Sequence, residues 1–153
     1  MRAAPLNYLL ALALAGLLWI LTSFVLGNWL GDNVSLLDVT VVEFVGTYRV
    51  VLTAAAVIGL VLTFYWLYYG SRPKAAGALD KARRTWDVLF FTAFGAAVVI
   101  VIVLVLLFAS EQFALQQYVL FFLAASAVTY FLFWLSTLLW SPRTVMNCVR
   151  GRS

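Results

Sequence analysis

The chain consists of long apolar stretches separated by short polar segments. Four of these stretches are longer than 20 residues and contain almost no charged side chains. A helix needs about 20 apolar residues to cross the hydrocarbon core of a bilayer, which is about 30 Å thick. Because a segment in lipid can pair its own backbone N–H and C=O groups only as a helix, the pattern predicts four transmembrane helices. They cover residues 6–26, 48–69, 88–108 and 118–140.

The composition places these stretches in a membrane and not in a soluble core. Apolar residues make up 65% of the 153 and charged residues only 10%, against about 45–50% and about 25% in soluble domains. We therefore predict an all-α integral membrane protein, a single domain in which four transmembrane helices form an up-down bundle. The first stretch follows a basic residue, Arg2, as in a signal peptide. It continues well past the small residues at 13–15, which favours an uncleaved anchor.

Charge divides unequally between the two sides of the predicted spans. Nine of the ten Lys and Arg residues lie in the N-terminal segment, in the loop over residues 70–87 and in the tail over residues 141–153. The other side carries Arg49 and four of the six acidic residues. By the positive-inside rule, both termini and the basic loop are cytoplasmic, and the loop over residues 27–47 is outside. This predicts a multi-pass protein of the plasma membrane, or of the cell inner membrane in a prokaryote.

The two longer loops each contain a second helical pattern. In the outer loop, a capping box from Ser35 to Asp38 precedes apolar residues at helical spacing. This segment is either a short helix at the membrane interface or a continuous extension of the second span, with Gly46 as the candidate bend between helix and span. A short strand over residues 39–41 is a third alternative. In the basic loop, Ser71 is a candidate N-cap for an amphipathic helix that leads into the third span. The apolar stripe of that helix comprises Ala75, Leu79, Ala82 and Trp86.

Basic side chains on that helix and beside it are the candidate contacts for other molecules. Lys and Arg next to an anionic membrane surface contribute roughly 1 kcal/mol each to binding. They either hold a lipid headgroup or an acidic patch of a partner, or they only fix the topology of the bundle. On the outer side, Arg49 is expected to extend to the headgroups, with an ion pair to Glu43 or Asp38 as an alternative. The cytoplasmic candidates are Arg72, Lys74, Lys81, Arg83 and Arg84.

Polar and small side chains within the spans indicate how the helices pack. In the fourth span, one face carries Ser126, Thr129, Tyr130 and Thr137. This polar face either bonds to a neighbouring helix or lines a polar cavity. Small residues spaced four apart permit close helix contact. Those predicted to mediate packing are Ala11, Ala15, Ala55, Gly59, Ala93 and Ala97.

The residues that most catalytic and metal sites require are missing from the sequence. The chain has no His and one Cys, Cys148, which excludes an internal disulfide, a Ser-His-Asp triad, a bis-His haem and a His-bearing zinc site. The six acidic residues lack EF-hand spacing, and no phosphate-binding glycine motif occurs. We predict no catalytic residue, no cofactor and no metal. Cys148 is either a passive thiol or a lipidated one beside the membrane.

These observations favour a function without catalysis. We expect an accessory, anchoring or assembly subunit of a larger membrane protein complex. Its partners would be membrane lipids and other membrane subunits or further copies of the chain. Nucleic acid is not expected, because the basic residues lie along a membrane and not on a soluble domain. The alternative is a small oligomeric channel or transporter, including holin-like permeabilisation, for an apolar, lipidic or ionic substrate.

Overall fold

Four long helices make up most of the computed structural model of this chain. Each is long and apolar enough to cross a membrane, and the described residues contain no strand. The predicted all-helical architecture with four long apolar helices is therefore confirmed. The structure describes residues 5–33, 40–72, 78–108, 115–143 and 145–149. The helices are α1 (Pro5–Asn33), α2 (Val41–Ser71), α3 (Ala78–Phe108) and α4 (Leu115–Trp140).

Helix α4 holds the bundle together. It packs most extensively on α2 and then on α3, whereas α2 and α3 share a smaller contact, and α1 lies against α2 and α4. Where α1 begins, the Asn7 side-chain amide donates to the carbonyl of Trp140 at the end of α4, over 3.0 Å. Because α2 and α3 both pack mainly on α4, the surface between them is left less closely filled.

Two buried clusters lie at opposite ends of the bundle. We call the end where α2 stops and α3 starts the basic end, because most of the described Lys and Arg side chains lie there, and the other end the opposite end. At the opposite end Phe44 stacks on Phe121 with ring centroids 5.5 Å apart. At the basic end the rings of Trp86 and Phe133 lie 5.8 Å apart.

Small residues lie where the helices approach most closely. All six of the alanine and glycine positions predicted to mediate packing are buried. A Cβ added to Gly59 on α2 would lie 3.0 Å from a methyl carbon of Leu132 on α4. This close approach is the reason that α2 and α4 share the largest contact, since a bulkier residue at Gly59 would separate the two helices.

Helix α2 begins before the predicted second span. Thr40 is its N-cap: the Thr40 hydroxyl accepts from the Glu43 backbone N–H, and the Glu43 carboxylate accepts from the Thr40 backbone N–H. This reciprocal pair is a capping box. From Val41 onward the helix runs through Gly46 without interruption. Residues 41–47 therefore extend the second span as one continuous helix. The predicted short strand is wrong at residues 40 and 41, which are the part of it that the structure describes. The capping box predicted from Ser35 to Asp38 lies outside the described residues.

The predicted role of Ser71 as an N-cap is wrong. Ser71 is the last residue of α2, and its hydroxyl donates to the carbonyl of Tyr68 over 2.8 Å. The next helix is described from Ala78 and continues without a break to Phe108. The amphipathic segment and the third predicted span therefore form one helix. Of its predicted apolar stripe, Ala82 and Trp86 are fully buried and Leu79 is exposed, whereas Ala75 is outside the described residues.

The segment after α4 folds back onto the basic end. Val145, Cys148 and Val149 are buried in the same cluster as Trp66 and Trp86, and residues Met146–Cys148 form a turn of 3₁₀ helix. The Cys148 thiol lies 3.5 Å from the carbonyl oxygen of Leu79. At 4% exposure this thiol is enclosed by protein, which favours the passive reading over lipidation.

Candidate functional site

A long apolar groove runs between α2 and α3, on the side of the bundle where these helices share their smaller contact. It contains two cavities, of about 740 Å³ and about 450 Å³, whose linings follow one another along both helices. Volumes of this size fall within the roughly 300–1,000 Å³ of ligand pockets. The larger cavity is lined from α2 by Val50, Val51, Ala54 and Ile58, and from α3 by Thr92, Gly95, Ala96, Val99, Ile100, Val103 and Leu107.

The smaller cavity is at the basic end of the groove and carries two cations. Lys81 and Arg84 line it together, because residues three apart on a helix lie on one face. Thr85, between these two side chains and the apolar wall, donates its hydroxyl hydrogen to the carbonyl of Lys81 over 2.8 Å. The remaining lining residues are Val61, Leu62, Tyr65, Val88 and Leu89.

Two other predicted basic contacts, Arg72 and Arg83, do not join this pair. The guanidinium of Arg72 lies over the ring of Tyr68, 4.4 Å from its centroid, and also donates to the Tyr68 hydroxyl. Arg83 is exposed but does not line the cavity. Lys74 lies outside the described residues. The structure therefore separates Lys81 and Arg84 from Arg72 and Arg83.

The side chains on the predicted polar face of α4 make different kinds of contact. The Thr129 hydroxyl lies 2.9 Å from the carbonyl of Ala125 in its own helix and 3.3 Å from that of Ala55 on α2. Ser126 has a buried hydroxyl without a hydrogen-bond partner within the described residues. Tyr130 packs its ring edge-on against Phe90, with centroids 5.0 Å apart. The bond from Thr129 to Ala55 joins α4 to α2, and the ring contact of Tyr130 joins α4 to α3. Both contacts agree with the prediction that this face binds neighbouring helices.

Two buried indole groups bond to hydroxyls at the basic end. Trp86 donates its Nε1–H to the Thr137 hydroxyl over 3.1 Å, and Trp66 donates to the Ser141 hydroxyl over 2.8 Å. Both tryptophans are fully buried. The tail after α4 covers this end, and each buried indole N–H has a hydroxyl acceptor.

Arg49 is held by α1 and forms a site that the sequence did not reveal. Its Nη2 donates to the Asn28 side-chain oxygen over 3.0 Å, and its Nε lies 3.5 Å from the Ser23 carbonyl. Its guanidinium also lies 4.5 Å from the ring centroid of Phe24. Arg49 thus contacts a neighbouring helix. The expected alternative partner Glu43 is instead bonded to Thr40, and Asp38 is outside the described residues.

The part of α1 that contacts Arg49 is not an ordinary α-helix. Residues Leu21–Leu26 form a π-helical segment between two α-helical ones. Within it the Thr22 hydroxyl donates to the Leu18 carbonyl over 2.6 Å, a back-bond that disturbs helices. Ser23 and, on α2, Tyr48 have buried hydroxyls without a hydrogen-bond partner within the described residues. π-Helical segments often occur at functional sites. The only residue of the sequence that points to this one is Thr22, because its hydroxyl can bond to the backbone of the preceding turn.

The described residues contain no group of three or more His, Cys, Asp or Glu side chains that could hold a metal ion. Comparisons with protein-family models, with curated proteins and with solved structures found no match to this chain. The groove therefore carries the functional interest of the molecule, together with the two cations at its basic end and the polar contacts within the bundle.

Proposed function

We propose that this chain is a non-catalytic assembly or anchoring subunit of a larger membrane protein complex, with its basic end in the cytoplasm. The observation that supports this most directly is the larger cavity of the groove. Its walls are apolar and include Ala54, Gly95 and Ala96. Where small residues expose the backbone, a helix of another subunit can approach closely and gain van der Waals contact.

Gly95 faces open space in that wall. A Cβ added there would meet no heavy atom of the described residues within 4 Å, whereas one added at Gly59 would meet Leu132 of this same chain at 3.0 Å. The bundle therefore fills the space beside Gly59 itself and leaves the space beside Gly95 open. In a membrane that space would be filled by lipid or by another protein.

The polar groups inside the bundle support a scaffold role. The Thr63 hydroxyl bonds to the Gly59 carbonyl over 2.8 Å, and the Thr137 hydroxyl accepts from Trp86. The bond of Thr63 pairs its buried hydroxyl within α2, and the bond between Trp86 and Thr137 joins α3 to α4. Both avoid the cost of an unpaired polar group in an apolar interior. Their effect is a rigid frame for the groove.

A small channel or transporter is the second candidate, and one observation favours it. The buried hydroxyls of Ser23 and Tyr48, near the π-helical segment and Arg49, have unused hydrogen-bonding capacity within the described residues. Ionisable and polar groups at membrane depth often mark a substrate path. Such a path would have to be completed by further copies of the chain.

A photocrosslinking amino acid at Val99 tests the proposal. Val99 lines the groove and is 59% exposed; Leu123, on α4 and outside the larger cavity, is also 59% exposed and is the matched control. In native membranes we expect the probe at position 99, and not at 123, to give one discrete adduct with an unlike membrane protein. An adduct only with a second copy of the chain would support the oligomeric alternative and overturn the assembly proposal.

Filling the groove provides an independent test. Gly95→Leu should remove the unlike subunit from preparations purified in mild detergent while the melting temperature of the chain is kept, because the added side chain enters open space. Gly16→Leu is the control, since a Cβ at Gly16 on α1 also meets no heavy atom within 4 Å. Equal retention of the subunit in both variants would contradict docking in the groove.

A further inference from the structure

The smaller cavity has cationic side chains at one end and apolar side chains along its wall. Two cationic side chains, Lys81 and Arg84, line it, and among the described residues no acidic side chain does. The neighbouring acids Asp80 and Asp87 do not contribute to the lining. The wall continues along α3 with Val88 and Leu89, in the direction of the larger apolar cavity. A ligand that matches this cavity is anionic at one end and apolar along its length.

The position of Arg84 along α3 corresponds to the headgroup layer. Arg84 is four residues before Val88, the first residue of the predicted third span. At 1.5 Å per residue this is about 6 Å along the helix axis. The headgroup layer of each leaflet is about 5–8 Å thick, the difference between a bilayer about 40–45 Å thick and its core of about 30 Å, divided by two. Arg84 therefore reaches phosphate depth while Val88 and Leu89 contact acyl chains.

The chemistry of the two cations fits a phosphate group. An Arg guanidinium binds phosphate oxygens through paired N–H groups, and a Lys ammonium adds a mobile point charge. We propose that this cavity is a binding site for one anionic phospholipid of the membrane, with its phosphate between Lys81 and Arg84 and an acyl chain along Val88, Leu89 and the facing Val61 and Leu62. The site rests on membrane insertion of α2 and α3, and not on the docking of another subunit.

Native mass spectrometry of the purified full-length protein tests this site. The probes are a phosphatidylglycerol and a phosphatidylcholine with identical acyl chains. We expect one phosphatidylglycerol to be retained in preference to phosphatidylcholine, and its affinity to fall about fivefold in Lys81→Gln or Arg84→Gln and about 30-fold in the double variant. Arg83→Gln is the matched control, because Arg83 is exposed on the same helix but does not line the cavity; it should keep the affinity within twofold.

Two further measurements distinguish a specific lipid site from a general attraction to surface charge and from the binding of a soluble anion. Val88→Trp places bulk in the cavity without changing charge, and Val88 is 63% exposed, so the fold should tolerate it; we expect loss of the bound lipid. Phe91→Trp, at 66% exposure outside the cavity, should retain it. Equal losses in Arg83→Gln and Arg84→Gln would show that only overall surface charge attracts the lipid, and would overturn the site. Full displacement by millimolar inorganic phosphate would assign the cations to a soluble anion and would also overturn it.

Discussion

The two ends of the bundle differ in the hydrogen bonds that their buried polar side chains form. At the basic end, the indole N–H groups of Trp66 and Trp86 both have hydroxyl acceptors, and the tail after α4 covers the cluster. At the opposite end, the hydroxyls of Ser23 and Tyr48 are buried without a partner within the described residues, beside a helix whose turns are widened. The Ser136 hydroxyl, one residue before Thr137, is also buried without a partner within the described residues. The two ends therefore differ in the bonded indoles of the basic end, and not in being free of unpaired hydroxyls.

This difference shows that burial alone does not define a rigid region. Both ends contain stacked aromatic rings and fully buried side chains. The basic end differs because its buried donors restrict the helices to one arrangement, as satisfied polar networks do. At the opposite end, the bonds of Trp19 to Thr53 and of Arg49 to Asn28 join α1 to α2, but the buried hydroxyls of Ser23 and Tyr48 add no further bond within the described residues. We therefore expect substitutions at the basic end to be more costly, and three comparisons test this in decreasing order of expected effect.

The largest effect is expected from Gly70→Ala. A Cβ at Gly70 would lie 2.5 Å from a methyl carbon of Val145 and 3.1 Å from the Pro142 ring, so the tail must move. Overpacking of this kind costs about 1–3 kcal/mol. We expect a lower melting temperature and faster labelling of Cys148, the only cysteine, by a maleimide.

Gly46→Ala is the control at the opposite end, since a Cβ there meets no heavy atom within 4 Å. Alanine is also the better helix former, by roughly 0.5–1 kcal/mol. This variant should melt at the same temperature as the parent chain or higher. If Gly70→Ala labelled and melted like Gly46→Ala, the docked tail would not be part of the packing at the basic end.

An intermediate effect is expected from Thr137→Val. Valine keeps the shape of threonine but leaves the Trp86 N–H without its acceptor, which should lower the free energy of unfolding by about 1 kcal/mol. Tyr48→Phe removes a hydroxyl that has no partner within the described residues, and it should be neutral or stabilising. Denaturant titration of both variants in one detergent measures the pair; a larger loss for Tyr48→Phe would reverse the comparison.

The smallest effect is expected from Asn28→Ala. Loss of the Asn28 oxygen removes one contact of Arg49 with α1, and we expect about 0.5 kcal/mol or less in global stability. Hydrogen exchange of the backbone amides in residues Leu21–Leu26 should nevertheless become faster. Asn33→Ala is the control, because the Asn33 amide bonds to the Trp29 carbonyl in its own helix. Unchanged exchange in Asn28→Ala would show that Arg49 does not restrain the π-helical segment.

The sequence predicted the helices well because the signal for them is local. Twenty apolar residues in a row specify a helix without reference to any neighbour, and the four long helices lie over the four predicted stretches. The groove was not predictable in this way. Lys81 and Arg84 were candidates among five basic residues, and only the crossing of α2 and α3 places these two beside an apolar wall.

Two other features depended on contacts that sequence spacing does not determine. The tail was expected to be a cytoplasmic segment, although Val145, Cys148 and Val149 recur at three and four residues and could have indicated a packed face. The contact of Arg49 with Asn28 joins residues 21 apart in sequence on different helices. The hydropathy of the sequence indicates how deep Arg49 lies in the membrane. It does not indicate which neighbouring helix binds the side chain.

The indole bonds at the basic end also determine an order of assembly. The acceptor of Trp86 lies 51 residues later in the chain, and that of Trp66 lies 75 residues later. During synthesis α2 and α3 therefore emerge before either donor has its acceptor, and the two helices share only a limited contact with each other. The hairpin of α2 and α3 becomes a fixed unit when the end of α4 and the following turn arrive, so the last part of the bundle to be made completes the packing of its middle helices.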